Sequence, residues 1–311
     1  MPRPRLLALV GPTAAGKTAL ALGVAEEFPV EIVSIDSRQV FRGLDVGTAK
    51  PTREERARVP HHLLDVVGPG EHWDAAMHAE AGRRAIDAIL ARRRSVLLCG
   101  GSGLYLRALG EGLCTAPPAD PALRGALLRV IDDGGAGELR AELEARDPEA
   151  ALRIATRDHA RLVRAVEVLR LTGRPLSAWQ AEHRASEPPF DLDVLVLSPP
   201  PEDLERRIAA WTAAMFAGGL LEETRAALDA GVSPASAALR SIGYREAQLV
   251  LAGRLGLDEA VAAATLATRR YAKRQRTWFR GLADARWLDP ADPAADLRHR
   301  AAATLGAARA A

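Results

Sequence analysis

The chain of 311 residues carries 42 basic and 40 acidic side chains, a net charge of +2, which excludes a protein that binds nucleic acid through bulk charge alone. It is 48% hydrophobic, enough for a sizeable core, yet no run approaches the roughly 20 apolar residues of a membrane span, so we expect no membrane association. Its two cysteines, Cys99 and Cys114, do not indicate a disulfide framework, which favours a cytoplasmic protein.

The first predicted strand, Leu6–Val10, leads into the sequence Gly-Pro-Thr-Ala-Ala-Gly-Lys-Thr and then into a helical pattern over Thr18–Glu27. Strand, glycine-rich turn and helix N-terminus together predict a phosphate-binding loop, because backbone N–H groups and the helix dipole converge on an anion there. Lys17 is expected to reach the outer phosphates and Thr18 to place its hydroxyl on Mg²⁺. An ordinary glycine turn would leave both residues without a role, and a cleaved leader would destroy the site. The expected phosphate-binding residues are Gly11, Pro12, Thr13, Ala14, Ala15, Gly16, Lys17 and Thr18.

The second predicted strand, Glu31–Ile35, ends at Asp36. In open α/β sheets the carboxyl ends of the strands face the ligand crevice, so we expect the Asp36 carboxylate beside the phosphates. There it can take a proton from an attacking nucleophile, although a magnesium-associated aspartate and a helix N-cap remain alternatives. The adjacent His61 and His62 point in different directions and have no third ligand nearby, so they favour a turn or core-edge role over a metal site.

A helical pattern over Asp74–Arg93 leads to the third predicted strand, Ser95–Cys99, in which Cys99 is expected to be a small core residue. This strand ends in Gly-Gly-Ser-Gly at 100–103, whereas an ordinary ATPase or GTPase usually holds Mg²⁺ with a carboxylate at this point. We interpret the glycines as room for a ligand to approach the backbone, with the Ser102 hydroxyl beside it. A tight strand–helix turn explains the glycines almost as well.

Two further strands are predicted at Asp193–Leu197 and Ala285–Leu288, with a helical pattern over Leu204–Phe216 between them. The alternation of strands and helices predicts an α/β fold, a P-loop NTPase-like parallel sheet flanked by helices. Residues 115–189 break the alternation, because proline-rich segments at both ends enclose capped helical patterns without a convincing strand. We therefore predict a catalytic core made of 1–114 and 190–311, with an all-helical insertion domain at 115–189.

Two basic segments indicate RNA binding. The helical pattern over Asp158–Arg170 brings Arg161 and Arg164 onto one face. Residues 269–280 combine six cations with three aromatic side chains, which suits RNA phosphates and unstacked bases. The alternative is an amphipathic helix with Trp278 and Phe279 in the core. Both can hold, because one face of a helix can bury aromatic side chains while the other face contacts RNA.

Several unrelated motifs follow one another in a family order over nearly the whole chain. They are the phosphate loop, Asp-Ser-Arg-Gln-Val-Phe-Arg-Gly-Leu-Asp-Val-Gly-Thr-Ala-Lys-Pro at 36–51, Pro-His-His-Leu-Leu-Asp at 60–65, Gly-Gly-Ser-Gly-Leu-Tyr at 100–105, Ser-Ile-Gly-Tyr-Arg at 241–245 and Lys-Arg-Gln-Arg-Thr-Trp-Phe-Arg at 273–280. In these motifs the chain resembles bacterial tRNA dimethylallyltransferases, also called tRNA isopentenyltransferases.

The resemblance implies transfer of a dimethylallyl group from dimethylallyl diphosphate to the exocyclic N6 amine of the adenosine at tRNA position 37, next to the anticodon, with release of diphosphate. It implies that Asp36 is the base and that Ser102, which stands where the family usually has threonine, is catalytic. It further implies Mg²⁺ on Thr18, a tRNA anticodon stem-loop gripped by the insertion domain, and a cytoplasmic enzyme, which we expect to be a monomer. The residues expected to contact tRNA are Asp36, Ser37, Arg38, Gln39, Ser102, Arg124, His159, Ala160, Arg161, Leu162, Val163, Arg240, Gly243, Tyr244, Arg245, Lys273, Arg274, Gln275, Arg276, Thr277, Trp278, Phe279 and Arg280.

The chain departs from the family pattern at two points. The family often has a second arginine four residues after Arg207, where this chain has Trp211, and an aromatic residue usual near His78 is missing. Three other functions compete with tRNA prenylation. A small-molecule kinase leaves the basic tail and the insertion unexplained, a transferase acting on free adenine nucleotides leaves the insertion unexplained, and a non-enzymatic RNA-binding module leaves Asp36 and Thr18 idle.

Overall fold

The described residues form a six-stranded parallel sheet in the order β3-β2-β4-β1-β5-β6. The computed structural model describes residues 3–184, 187–292, 298–299, 301–303 and 305. The strands are β1 (Arg5–Val10), β2 (Val30–Ser34), β3 (His61–His62), β4 (Ser95–Gly100), β5 (Asp191–Leu197) and β6 (Arg286–Leu288). The parallel sheet and its flanking helices confirm the predicted fold class.

The helices follow the predicted patterns, with ends set by local capping. Asp74, for example, accepts hydrogen bonds from the backbone N–H groups of Ala76 and Met77 and so starts its helix one residue later than predicted. In chain order the helices are α1 (Lys17–Glu27), α2 (Arg53–Arg58), α3 (Ala75–Ala91), α4 (Gly103–Gly110), α5 (Pro121–Asp132), α6 (Ala136–Arg146), α7 (Pro148–Arg153), α8 (His159–Thr172), α9 (Leu176–Arg184), α10 (Pro201–Ala217), α11 (Leu220–Asp229), α12 (Tyr244–Leu251) and α13 (Leu257–Arg280).

The short edge strand β3 is the strand that the sequence patterns did not predict. It pairs with β2 through His61 and His62, and the His62 ring nitrogen Nε2 lies 2.7 Å from the Glu31 carboxylate. Burial opposes the charge on Glu31, but hydrogen bonds from Arg92 and His62 outweigh it and hold the pKa of Glu31 below its usual range. The two histidines are therefore part of the sheet edge.

The chain divides into two compact units. The larger unit comprises 1–111 and 189–311 and contains the whole sheet. The smaller unit, 112–188, consists of α5–α9 within its described residues, packed around a core that includes Leu127, Leu143 and Val166. No helix among the described residues of either unit is long and apolar enough to cross a membrane.

The central strands β1, β2 and β4 are mostly apolar and buried, because both of their faces are covered. Leu7, Val33 and Leu98 are each 1% exposed or less. Parallel pairing brings the carboxyl ends of all three strands to one edge of the sheet, where the phosphate loop, Asp36 and Gly101 follow. The fold therefore gathers the predicted reactive residues at that edge.

Candidate active site at the carboxyl edge of the sheet

The phosphate loop has the backbone conformation that its glycines require. Gly11 has a φ of 150° and Gly16 a φ of 95°, and a Cβ on Gly11 would overlap the carbonyl oxygen of Leu197 on the neighbouring strand. Ala14 also has a positive φ, 65°, which costs a non-glycine residue about 1–2 kcal/mol. Alternating backbone conformations of this kind turn successive N–H groups inward, which makes an anion-binding concavity ahead of α1.

Lys17 and Arg207 bring positive charge to this loop. The Lys17 ammonium donates to the Pro12 carbonyl at 2.8 Å, and burial lowers the pKa of Lys17 although the nearby Cys99 and Asp36 act in the opposite direction. The Arg207 guanidinium lies 3.4 Å from the Ala15 carbonyl oxygen, so it can reach an anion held in the loop. Trp211, one helical turn further along α10, packs instead in an apolar cluster with residues such as Phe216.

Asp36 caps the turn that follows β2. Its Oδ1 atom accepts hydrogen bonds from the backbone N–H groups of Arg38, at 2.8 Å, and Gln39, at 3.4 Å. No helix starts here, so the helix N-cap considered for this residue is not what the structure shows; Asp36 caps a turn and uses one carboxylate oxygen only. The Asp36 carboxylate is near enough to Lys17 to oppose the lowering of the pKa of that ammonium.

Ser102 ties the ends of β2 and β4 together. Its backbone N–H donates to the Ile35 carbonyl at 3.1 Å, and its hydroxyl oxygen accepts the backbone N–H of Ser37 at 3.0 Å. On α13, burial raises the pKa of the Tyr271 phenol to about 12, and the nearby Ser102 hydroxyl acts in the opposite direction. The Ser102 hydroxyl thus lies next to Asp36 and fixes the turn that carries it.

The glycines after β4 accommodate side chains of α13 and the β2 backbone. A Cβ on Gly100 would overlap the Ile35 backbone, one on Gly101 would overlap the Gln275 amide, and one on Gly103 would overlap the Trp278 ring. Our interpretation that these glycines make room for a ligand is therefore wrong for the three positions, because packing within the protein already fills the space.

Helix α13 presents its predicted tRNA-contacting residues on two different faces. Lys273, Arg274, Thr277 and Arg280 are exposed, whereas Gln275 and Phe279 are 6% and 1% exposed. The prediction of direct tRNA contacts by Gln275 and Phe279 is not supported by these interior positions. Arg276 and Trp278 are intermediate: the Trp278 ring meets Phe279 edge to face and lies beneath the Arg107 guanidinium, 5.1 Å from its centroid.

The Ser-Ile-Gly-Tyr-Arg motif divides in the same way. Arg240 and Arg245 are exposed, but Gly243 and Tyr244 are buried and cannot face a tRNA in this conformation. The Tyr244 hydroxyl donates to Glu223 at 2.5 Å, and the same carboxylate accepts the backbone N–H groups at 45–47. Tyr244 and Glu223 therefore hold the loop at 45–47, which belongs to the same connection between β2 and α2 as Asp36.

The remaining predicted contacts of the larger unit lie on the turn after Asp36. Ser37 and Gln39 are half-buried, and the Gln39 amide donates to the carbonyl of Ala49 at 3.0 Å. Arg38 is exposed and donates to the Ala237 carbonyl at 2.7 Å. Arg38 is therefore the side chain of this turn with the freest access to a large substrate.

In the smaller unit, the predicted contacts cluster at the start of α8. His159, Ala160 and Arg161 are exposed there, whereas Leu162 and Val163 are 1% and 2% exposed and belong to the core. Arg124 is half-buried and pairs at 2.6 Å with Glu167, which is completely buried and also binds Arg164. The interior positions of Leu162 and Val163 do not support direct contacts with tRNA.

Three functional candidates were missed by the sequence reasoning or left out of the expected site. Tyr271 lies one turn before Gln275 on α13 and near Ser102. Arg207 borders the phosphate loop, and Glu223 accepts hydrogen bonds from the backbone at 45–47. The signal for Tyr271 was its helical spacing from Gln275, four residues, which places both on neighbouring positions of one face. No local pattern marks Glu223, because its partners are remote in the sequence.

The donor set fits a magnesium ion that is held mainly by a bound diphosphate. Among the described residues no group of three or more His, Cys, Asp or Glu side chains could hold a metal by itself. Mg²⁺ typically keeps several waters and takes few protein oxygens together with substrate phosphates. Thr18, half-buried at the start of α1, supplies a hydroxyl of the required kind next to the loop.

Comparisons with known proteins agree on one family. The protein-family model described as IPP transferase matches residues 39–282. A tRNA dimethylallyltransferase of Anaeromyxobacter dehalogenans (strain 2CP-C) is 49% identical over 286 residues, which covers 92% of this chain and 95% of that protein. The crystal structure of the full-length tRNA isopentenylpyrophosphate transferase of Bacillus halodurans aligns with a TM-score of 0.73 at 33% identity and covers 98% of both chains. A eukaryotic dimethylallyltransferase acting on tRNA shares the fold, with a TM-score of 0.76 at 24% identity over 93% of this chain and 74% of that one.

Proposed function

This chain belongs to the IPP transferase family of prenyltransferases, and on that premise we propose that it transfers a dimethylallyl group from dimethylallyl diphosphate to the N6 amine of adenosine 37 of tRNA. The observation that carries the proposal is the meeting of three parts at one sheet edge: the phosphate loop, the Asp36 turn and the basic helix α13. The phosphate loop suits a leaving diphosphate. The Asp36 turn suits an amine that loses a proton as it is alkylated, and helix α13 suits an RNA acceptor.

The phosphate loop supports the leaving-group half of the reaction. Its backbone N–H groups, the Lys17 ammonium and the Arg207 guanidinium can neutralise the charge that develops as the allylic C1–O bond breaks. Bound diphosphate would favour the charged form of Lys17 against the burial that lowers its pKa. The loop would therefore serve as a cradle for diphosphate, and the ATP-binding label that its motif attracts reflects the ancestry of the fold.

Asp36 supports the acceptor half of the reaction. As the N6 nitrogen forms its bond to the allylic carbon, it must lose a proton, and the second oxygen of Asp36, Oδ2, is the acceptor that we propose. The Oδ1 atom meanwhile caps the turn and holds the carboxylate in place. The Ser102 hydroxyl fixes the same turn through Ser37 and is positioned to contact the reacting base.

Mg²⁺ is proposed as the metal of the reaction, with the Thr18 hydroxyl as its protein ligand. When bound, the ion would supply further neutralisation of the diphosphate charge. The loop backbone, Lys17 and Arg207 would bind and orient the diphosphate.

The acceptor is proposed to be the anticodon stem-loop of tRNA. Exposed cations at Lys273, Arg274, Arg280 and Arg38 can neutralise its phosphates, and His159, Ala160 and Arg161 of the helical unit offer a second surface. Attack on N6 requires the target base to leave its stack, at a cost of a few kcal/mol that tight binding of the stem-loop must offset. We also propose that the enzyme acts as a monomer in the cytoplasm, where tRNA is modified, and on tRNAs that read codons beginning with U.

The proposal is tested with the purified protein, Mg²⁺, dimethylallyl diphosphate labelled in the allyl group and three acceptors: unmodified tRNA, the same tRNA with guanosine at position 37, and free AMP. Label should enter only the first acceptor, as N6-dimethylallyladenosine after nuclease digestion. Prenylation of AMP alone would indicate a transferase for free nucleotides. ATP-dependent phosphorylation without prenylated adenosine would indicate a kinase.

A further inference from the structure

Gln275 connects helix α13 to both sides of the candidate active site. Its amide oxygen Oε1 accepts the backbone N–H of Thr13 in the phosphate loop at 3.0 Å, and its amide nitrogen Nε2 donates to the carbonyl of Gly101 at 2.9 Å. The partners fix the orientation of the amide, because Thr13 N–H can only donate and the Gly101 carbonyl can only accept. The side chain is 6% exposed, so both ends of the amide are engaged within the protein.

The neighbouring sequence is adapted to this amide. A Cβ at position 101 would overlap Nε2 of Gln275, so the glycine of the turn after β4 is required by a residue 174 positions further along the chain. The next residue, Ser102, accepts the N–H of Ser37 and thereby fixes the Asp36 turn. The amide thus links Thr13 of the phosphate loop to the turn that carries the proposed base.

We propose that Gln275 is a positioning residue of the transfer reaction, which holds the phosphate loop and the Asp36–Ser102 turns in register, and that it is not a contact to tRNA. This inference rests on the proposed function. The two reacting centres, the allylic diphosphate and the N6 amine, belong to different substrates, so the protein must set the distance between their sites. A misplacement of about 1 Å between reacting groups can cost on the order of 10²-fold in rate.

The first variant is Gln275→Met, which keeps the length of the side chain and removes both hydrogen bonds. We expect kcat for prenyl transfer to fall by about 10²-fold with the Kd for tRNA changed less than twofold. The matched control is Thr268→Val, because Thr268 is a buried polar residue of the same helix, 2% exposed, whose hydroxyl has no hydrogen-bond partner among the described residues. The control should keep wild-type kcat. Retained kcat with a weakened Kd for tRNA in Gln275→Met would overturn the proposal.

The second variant, Gln275→Glu, is tested by the pH dependence of kcat, which would not change if Gln275 served only in packing. A neutral carboxylic acid can accept from Thr13 and donate to Gly101, as the amide does, whereas a carboxylate faces the Gly101 carbonyl with an acceptor. The ratio of kcat in this variant to wild-type kcat should therefore rise as the pH falls from 8.5 to 5.5. A ratio that stays flat over this range would contradict the positioning role.

Binding of inorganic diphosphate, measured by calorimetry without tRNA, separates this inference from the proposed function. Gln275→Met should weaken diphosphate binding by about tenfold, because the backbone of the phosphate loop at Thr13 is no longer held by its hydrogen bond to Gln275. If the wild-type protein bound diphosphate but transferred no prenyl group, the proposed function would fail while this effect would still be expected. Unchanged diphosphate affinity in Gln275→Met would refute the link to the phosphate loop.

Discussion

The strand-end loops, residues 11–18 and 36–39, and helix α13 reach the same site by different physical means. In the strand-end loops the backbone sets the geometry. It does so through positive φ angles at Gly11, Ala14 and Gly16, and through the N–H groups of Arg38 and Gln39, which both donate to the Asp36 carboxylate. In α13 the side chains set the geometry, as the hydrogen bonds of Gln275 to Thr13 and Gly101 show. Residues of α13 that are adjacent in sequence point in opposite directions. A basic motif on a helix therefore has to be divided by face before a role is given to each residue.

The largest expected effect is at Asp36, where two substitutions separate the base from the cap. Asp36→Asn keeps an oxygen that can accept from Arg38 N–H but removes the base, so we expect kcat to fall by about 10²–10⁴-fold with tRNA affinity retained. Asp36→Ala removes both functions and should cost about 1 kcal/mol of stability in addition. Steady-state kinetics, filter binding and urea unfolding measure the three quantities. Full turnover in Asp36→Asn would show that another group takes the proton.

The next effect tests the buried face of α13. Phe279→Ala should lower the free energy of unfolding by about 3–5 kcal/mol, because it empties a core position that is 1% exposed. Thr277→Ala, two residues earlier on the exposed face, is the control and should change stability by less than about 1 kcal/mol. Urea denaturation gives both values. Wild-type stability in Phe279→Ala, together with weaker tRNA binding, would return Phe279 to the RNA surface.

A smaller effect tests the exposed face of the same helix. Replacing both Lys273 and Arg274 by alanine should raise the Kd for tRNA by roughly tenfold and reduce the slope of log Kd against log salt by about one unit per cation. The affinity for inorganic diphosphate should not change, since both side chains are exposed and lie outside the phosphate loop. An unaltered salt dependence would contradict an RNA-binding role for this face.

The smallest effect concerns Thr18 in the phosphate loop. Thr18→Val, which preserves shape and removes the hydroxyl, should raise the Mg²⁺ concentration for half-maximal transfer by a few-fold, whereas Thr18→Ser should behave like the wild type. Magnesium titrations of transfer activity compare the two. An identical magnesium requirement in both variants would remove Thr18 from the metal site.

The sequence predicts most of the sheet and the phosphate loop because these depend on local signals. Apolar runs mark the five longer strands, and the glycines at 11 and 16 mark the loop conformation. Strand β3 escapes prediction because two residues carry no periodicity. Its position comes from pairing with β2, which no local pattern encodes.

The roles of individual site residues depend on contacts that are remote in sequence, and here prediction from motifs is incomplete. Gly101 and Gly103 leave space, but only the structure identifies Gln275 and Trp278 as the side chains that fill it. The buried face of α13 was predictable from the sequence. Four of its residues recur at helical spacing, and all four are buried: Thr268, Ala272, Gln275 and Phe279. Such spacing separates the buried residues of α13 from its exposed cations.

The central claim, that the loop cradles a leaving diphosphate beside a tRNA acceptor, is tested most directly by the products of a single turnover. The enzyme in excess is mixed with unmodified tRNA, dimethylallyl diphosphate and Mg²⁺ without ATP, and inorganic diphosphate and N6-dimethylallyladenosine are counted in the same quenched samples. The account predicts equal amounts of the two products with the same time course. Release of diphosphate without prenylated adenosine, or a requirement for ATP, would contradict it.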